Sequence, residues 1–126
     1  MIRRLIVVLW ASALIVPAGA QVQRQFPESA LRCEMVFGQP PEVLLNGEAW
    51  RLAPGTRIRG QNNMLVMSGS LVGSRLMVHY TSEAPGQIKD VWILRPEEAA
   101  IEPWPRSAKE ASTWVFDGIA QKWSRP

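Results

Sequence analysis

Turn signals cut this chain so often between Leu31 and Leu94 that it has room for little except short strands. Gly38-Gln39-Pro40-Pro41, Asn46-Gly47, Ala53-Pro54-Gly55, Gly60-Gln61-Asn62-Asn63 and the glycine-bounded 69–74 follow one another, with a further loop at 82–86. Each is built from residues that accept positive φ or cannot extend a hydrogen-bonded ladder. The runs between them alternate. Leu31, Cys33, Met35 and Phe37 fall on one side, with Arg32 and Glu34 on the other, the two-residue period of a half-buried strand. The runs 42–45 and 48–52 flank Asn46-Gly47, a pair suited to the type I′ turn of a hairpin. Runs 56–59 and 64–68 read as two more strands. In 75–81, Leu76, Val78 and Tyr80 oppose Met77, His79 and Thr81. In 87–94, Ile88 and Trp92 oppose Val91 and Ile93, and bulk on both faces suits a central or barrel position. The pattern predicts a mostly β protein, a small antiparallel barrel of five or six strands over residues 31–95. Closure would also remove the open edges that such short strands present.

Residues 96–126 read differently. Pro96 to Ala100 begins like a helix, with Pro in the first turn and Glu97 and Glu98 placed to complement the helix dipole; Pro103-Trp104-Pro105 ends it. In the tail, 107–112 has the makings of one or two helical turns, and 113–116 and 119–123 of a small hairpin around Asp117-Gly118. Trp104, Trp114 and Trp123 are too apolar for a segment left in water. Either the tail packs over the barrel, as scattered tryptophans in small domains usually do, or these three are contacts for a partner.

The first twenty residues are a separate matter. Arg3 and Arg4 precede an apolar run from Leu5 to Val16, then Pro17 and the small triplet Ala18-Gly19-Ala20. This is the order of a secretory signal peptide, with cleavage expected after Ala20. The apolar run is about a dozen residues, short of the ~20 that span a bilayer, so no lasting transmembrane anchor is expected. Residues 21–30 then form a polar lead-in, and the expected location is the periplasm. Removing the leader changes the charge. Fourteen Lys and Arg against eleven Asp and Glu become twelve against eleven, so a formal +3 becomes +1. A basic balance held largely by a leader gives no support for a nucleic-acid partner. The lone Cys33 allows no internal disulfide and reads as a small, half-buried strand residue.

Catalytic and metal chemistry finds little to use. With one histidine, His79, and one cysteine, the chain lacks the ligands of a zinc site, and no cofactor is expected. His79 lies mid-strand, where a solvated face is the common case, and Glu97 and Glu98 are adjacent and so do not face one another on a helix. Nucleophile-elbow, phosphate-loop and Cys-x-x-Cys patterns are all missing from the sequence. Asp90 reads as a solvent-facing position. One polar constellation stands out: Arg57 and Arg59, two apart on a strand, beside Asn62 and Asn63 in the next turn. Forked donors in that arrangement suit a carboxylate or phosphate. The plainer account is an edge strand kept soluble by its arginines, with the asparagines serving turn geometry.

The stretches 38–47, 52–63, 71–80 and 86–94, which together cover most of residues 31–94, resemble a group of short exported proteobacterial proteins of unknown function. That resemblance implies a small periplasmic protein and brings no catalytic residues with it. More loosely, the order of strands and glycine turns resembles small OB-like barrels of bacterial envelope proteins. The expectation is therefore a non-enzymatic periplasmic module that binds another envelope protein. The alternative is a binder of an anionic ligand, a glycan or acidic group, through the Arg57/Arg59 surface, with an enzyme carrying an unrecognised site as a third class.

Overall fold

A computed structural model describes residues 23–126; the leader-like segment and its expected cleavage point lie outside the described residues. Five strands close into a barrel in the order β1-β2-β3-β5-β4: β1 (Leu31–Phe37), β2 (Glu42–Leu45), β3 (Glu48–Arg59), β4 (Arg75–Ala84) and β5 (Gln87–Ile93). A ring of strands alternating in direction needs an even number of members. Five strands force one parallel junction, and here it is β3 with β5; every other pair is antiparallel. The barrel is thus mixed rather than wholly antiparallel. A mostly β protein of this size with two short helices, α1 (Pro96–Ala99) and α2 (Ala108–Thr113), matches the sequence expectation.

Turn chemistry settles most of the boundaries. Asn46 (φ 47°) and Gly47 (φ 87°) both take positive φ, as the expected hairpin turn requires. Several boundaries differ from the sequence reading, and β4 runs on to Ala84, through residues expected in the 82–86 loop. Ala53-Pro54-Gly55 does not end a strand. It is a bulge within β3, where the pairing jumps from Leu52↔Ile88 to Arg57↔Asp90. Residues 64–68 form no strand beyond one bridge, Arg59↔Leu65, because the Gly60–Asn63 turn delivers them to β3 only at its end. A short 3-10 turn, Ser68–Leu71, covers the first half of the glycine-bounded segment.

The barrel interior holds Cys33, Met35, Phe37, Val43, Leu45, Leu52, Ile58, Val78, Tyr80, Ile88, Val91 and Ile93. Ile88 and Val91 face inward together, against simple alternation, because Lys89 is an extra residue in β5 between Thr81↔Asp90 and Ser82↔Ile88. Beyond that bulge the phase is reversed, and Trp92 and Leu94 turn outward.

Their outward face is covered. A second apolar cluster joins Trp92 and Leu94 to Phe26, Ala30, Trp104 and Trp123, with Met77, Trp114 and Phe116 packed against it. The polar lead-in is therefore part of the packing, since Phe26 and Ala30 are buried in it. The tail crosses the barrel's outer face and ends in a hairpin of β6 (Val115–Asp117) and β7 (Lys122–Ser124). Gln121, buried and left-handed at φ 54°, ties that hairpin down: its Oε1 accepts the Phe26 N–H at 2.8 Å, and its Nε2 donates to the Gly118 carbonyl at 3.0 Å. Trp104 Nε1 donates to the Ala30 carbonyl at 3.0 Å. The tail packs on the barrel, and Trp104 and Trp123 lie inside that packing; Trp114 is half-buried.

Candidate functional site

The chemistry-bearing residues divide into those sealed under the tail and those left at the surface. His79 is sealed. It was expected on a wet face, yet it is 1% exposed, stacked on Trp104 at 4.1 Å between ring centres and edge-on to Phe26 at 4.4 Å. Arg32 Nε donates to its Nε2 at 3.2 Å. Burial, with Arg32 and Arg24 nearby, pushes its pKa down to about 2, so the ring is neutral. Arg32 is itself buried, and burial lowers its pKa. Its other nitrogens donate to the carbonyls of Glu98, Ala99 and Ile101, where the C-terminal end of α1 presents oxygen to a cation. Cys33, expected half-buried, lies wholly inside the barrel, where burial pushes the thiol up to about 12.

Glu98 also departs from expectation. Glu97 stays exposed, but Glu98 is buried, and its carboxylate takes both the Nε and Nη2 of Arg24 and caps the Arg95 N–H at 2.8 Å. Arg24 further donates to the carbonyls of Gly60 and Ile93, at 2.9 and 2.7 Å. One buried guanidinium thus fastens the lead-in, α1, β5 and the β3–β4 connection together. Nothing local in the sequence marks this pair, whose members are 74 positions apart.

At the surface, two concavities flank the β3–β4 connection, and they share no lining residue. The first is a groove of about 700 Å³ under the β3 bulge. Pro40, Pro41, Leu52 and Ile58 form its floor and one wall, with Leu65 and Met67 on the other. Its only charged lining residues are Arg51 and Arg57. Beside it Met64, Leu65 and Met67 stand 66, 69 and 82% exposed. Residues 49–82 contain four arginines and no acidic residue.

The second is a polar cleft of about 710 Å³ that collects Arg59, Asn62 and Asn63 with Trp92, Arg95 and the lead-in around Arg24. The Gly60–Asn63 turn shapes it. A Cβ at Gly60 would lie 3.1 Å from Val66 Cγ2, so glycine is what lets the turn close against the following segment. Asn62 Oδ1 accepts the Met64 N–H at 3.0 Å, and Asn63 takes φ 64°. Of the four residues marked in the sequence, three meet here. Arg57, although on the same outward face of β3 as Arg59 with Ile58 turned into the core between them, borders the groove instead. Asp90 is not simply solvent-facing: it accepts from Thr81 Oγ1 at 3.1 Å and lies 3.7 Å from Arg59 Nη1.

No family model matches this chain, and neither a curated protein nor a solved structure matches it. Among the described residues no helix is long and apolar enough to cross a membrane, and no group of His, Cys, Asp and Glu is placed to hold a metal ion.

Proposed function

We propose that this chain is an exported, non-enzymatic binding module of the cell envelope, and that it docks an extended apolar segment of a partner protein in the groove beside Met64–Met67. One observation carries the reading. Three large apolar side chains stand in water beside an apolar groove, although the fold has covered the barrel's other outward aromatic surface with its own tail. Methionine suits such a surface because its unbranched thioether repacks around differing side chains. With Arg51 and Arg57 as the only charges in the lining, the partner segment carries a carboxylate.

Export rests on the order of charged, apolar and small segments before Gln21, and the periplasm is the compartment that order addresses. The likeness to short exported proteins and OB-like envelope barrels supports the same reading from the quoted residues alone. The non-enzymatic part is supported by the sealing of His79 and Cys33: Thr56 and Ser68 line the groove, but no histidine, carboxylate or lysine lines it to activate their hydroxyls.

A photocrosslinking residue placed at Leu65 or at Met67 in the native host tests the assignment, with Ile119 on the tail hairpin, 96% exposed, as the control position. One dominant protein adduct is expected from Leu65 and Met67 and none from Ile119, with the adduct at Leu65 lost when Met67→Lys is added. Equal adducts at all three positions, or lipid rather than protein adducts at Leu65, would overturn it.

A further inference from the structure

We propose a second, independent site: the cleft at Arg59, Asn62 and Asn63 binds a small anion, the carboxylate or phosphate group of a ligand. The groove needs no such ligand, and the two concavities have no lining residue in common.

Charge supports this first. Three guanidiniums, of Arg24, Arg59 and Arg95, border the cleft, and no carboxylate lines it. Two carboxylates lie behind it. Glu98 is committed to Arg24 in a two-pronged pair, which makes that arginine part of the frame. Among the described residues Asp90 is the one acidic partner of Arg59, and its oxygen is 3.7 Å from Nη1, beyond hydrogen-bond range. Arg59 therefore keeps donor capacity toward the cleft that Asp90 does not take up.

Pre-organisation is the second support. The Arg59 guanidinium lies over the Trp92 ring, 5.6 Å from its centre, and keeps a quarter of its side-chain surface open. A planar fork held on an aromatic face loses little freedom when it meets a planar or tetrahedral oxyanion. Asn62 has turned its Oδ1 to the Met64 N–H, which leaves its NH2 as the donor end. Arg95 is held at the cleft wall by the bond from its Nε to the Gln61 carbonyl, 2.6 Å, and contributes charge there.

Titration calorimetry on the full exported chain at low salt tests the site, with inorganic phosphate and citrate as separate probes. Saturable binding of at least one probe is expected, weakened about tenfold or more by Arg59→Gln and unchanged within about twofold by Arg75→Gln, since the exposed Arg75 lines neither the cleft nor the groove. Asn63→Gly provides a second variant that keeps the left-handed backbone while removing the amide, and it too should weaken binding severalfold. Binding of phosphate alone assigns the site to phosphate esters, and binding of citrate alone to carboxylates. Failure of both probes to bind at millimolar concentration, or equal losses in Arg75→Gln and Arg59→Gln, would overturn it. Neither outcome touches the crosslinking result at Leu65, so the groove and the cleft stand or fall separately.

Discussion

Mild acid should destabilise this protein through His79, before its carboxylates begin to titrate. The ring is neutral in the fold, with its pKa pushed down to about 2 by burial, reinforced by the cationic Arg32 and Arg24. Phe26 and Trp104 close its remaining sides and carry no charge. Geometry blocks protonation as well. Nε2 already accepts the Arg32 Nε–H, so a proton added there would point at a donor, and Nδ1 finds no partner among the described residues. In the unfolded chain the same imidazole titrates near ~6.5. Below that pH the unfolded state binds one proton more than the native state, so stability falls as pH falls, by about 1.36 kcal/mol per pH unit. From pH 7.5 to pH 5 the loss is about 2 kcal/mol, a large share of the ~5–15 kcal/mol typical of a small domain. The stability is fully present above pH 6.5 and continues to drain toward pH 2, where carboxylates add their own effects. Urea unfolding followed by tryptophan fluorescence at pH 7.5, 6.5, 5.8 and 5.0 measures it, and His79→Gln should flatten the profile in that window. A wild-type profile flat to within about 0.3 kcal/mol between pH 6.5 and 5 would refute the reasoning. It would mean that water reaches His79 and that the tail does not hold over it.

Glu98→Ala leaves Arg24 buried without its carboxylate and uncaps α1, so urea unfolding should show a loss of about 3–5 kcal/mol. Arg24→Met combined with Glu98→Leu should recover a substantial part of that loss; a single-variant cost under about 1 kcal/mol would mean the lead-in is not fastened as described. The Cys33 thiol should react with a chromogenic disulfide reagent about a thousandfold more slowly in the native protein than in denaturant, since labelling requires the barrel to open. Comparable rates in the two conditions would show that the strand is accessible.

Much of the barrel was legible because its signals are local. Asn46-Gly47, the alternation of Leu31 to Phe37 and the break at Pro103-Trp104-Pro105 act over a few residues, and most strands and tail elements fall close to where they point, although β4 runs to Ala84 into the loop expected over 82–86. Faces were harder. Alternation correctly set Leu76, Val78 and Tyr80 against Met77 and His79, but it cannot say what covers the second face. His79 looked solvated because its cover, Phe26 and Trp104, comes from both ends of the chain. In β5 alternation failed outright, since Lys89 shifts the phase and nothing in 87–94 announces the bulge. For the candidate site, the donor-rich turn after Arg59 was visible in sequence. The contribution of Trp92, Arg95 and Arg24 was not, because it depends on the closure of β5 beside β3 and on the Arg24–Glu98 pair.

The covering of the barrel is uneven, and the proposed sites lie where it is thinnest. Its outer face at β4 and β5 is enclosed by the lead-in, α1 and the tail, which together bury two of the three C-terminal tryptophans, the histidine and a buried ion pair. Those groups are committed to holding the cover in place, so Trp104 and Trp123 are unsuited to meet a partner without unfolding it. The β3–β4 connection is the opposite case. It is held by short backbone bonds at Gly60–Met64 and Ile58–Val66, carries no acidic residue, and displays Met64, Leu65 and Met67 to solvent. A groove opens on one flank of that connection and a polar cleft on the other. Substitutions that abolish binding without unfolding the protein are expected to cluster between Arg57 and Met67, and those that unfold it under the tail.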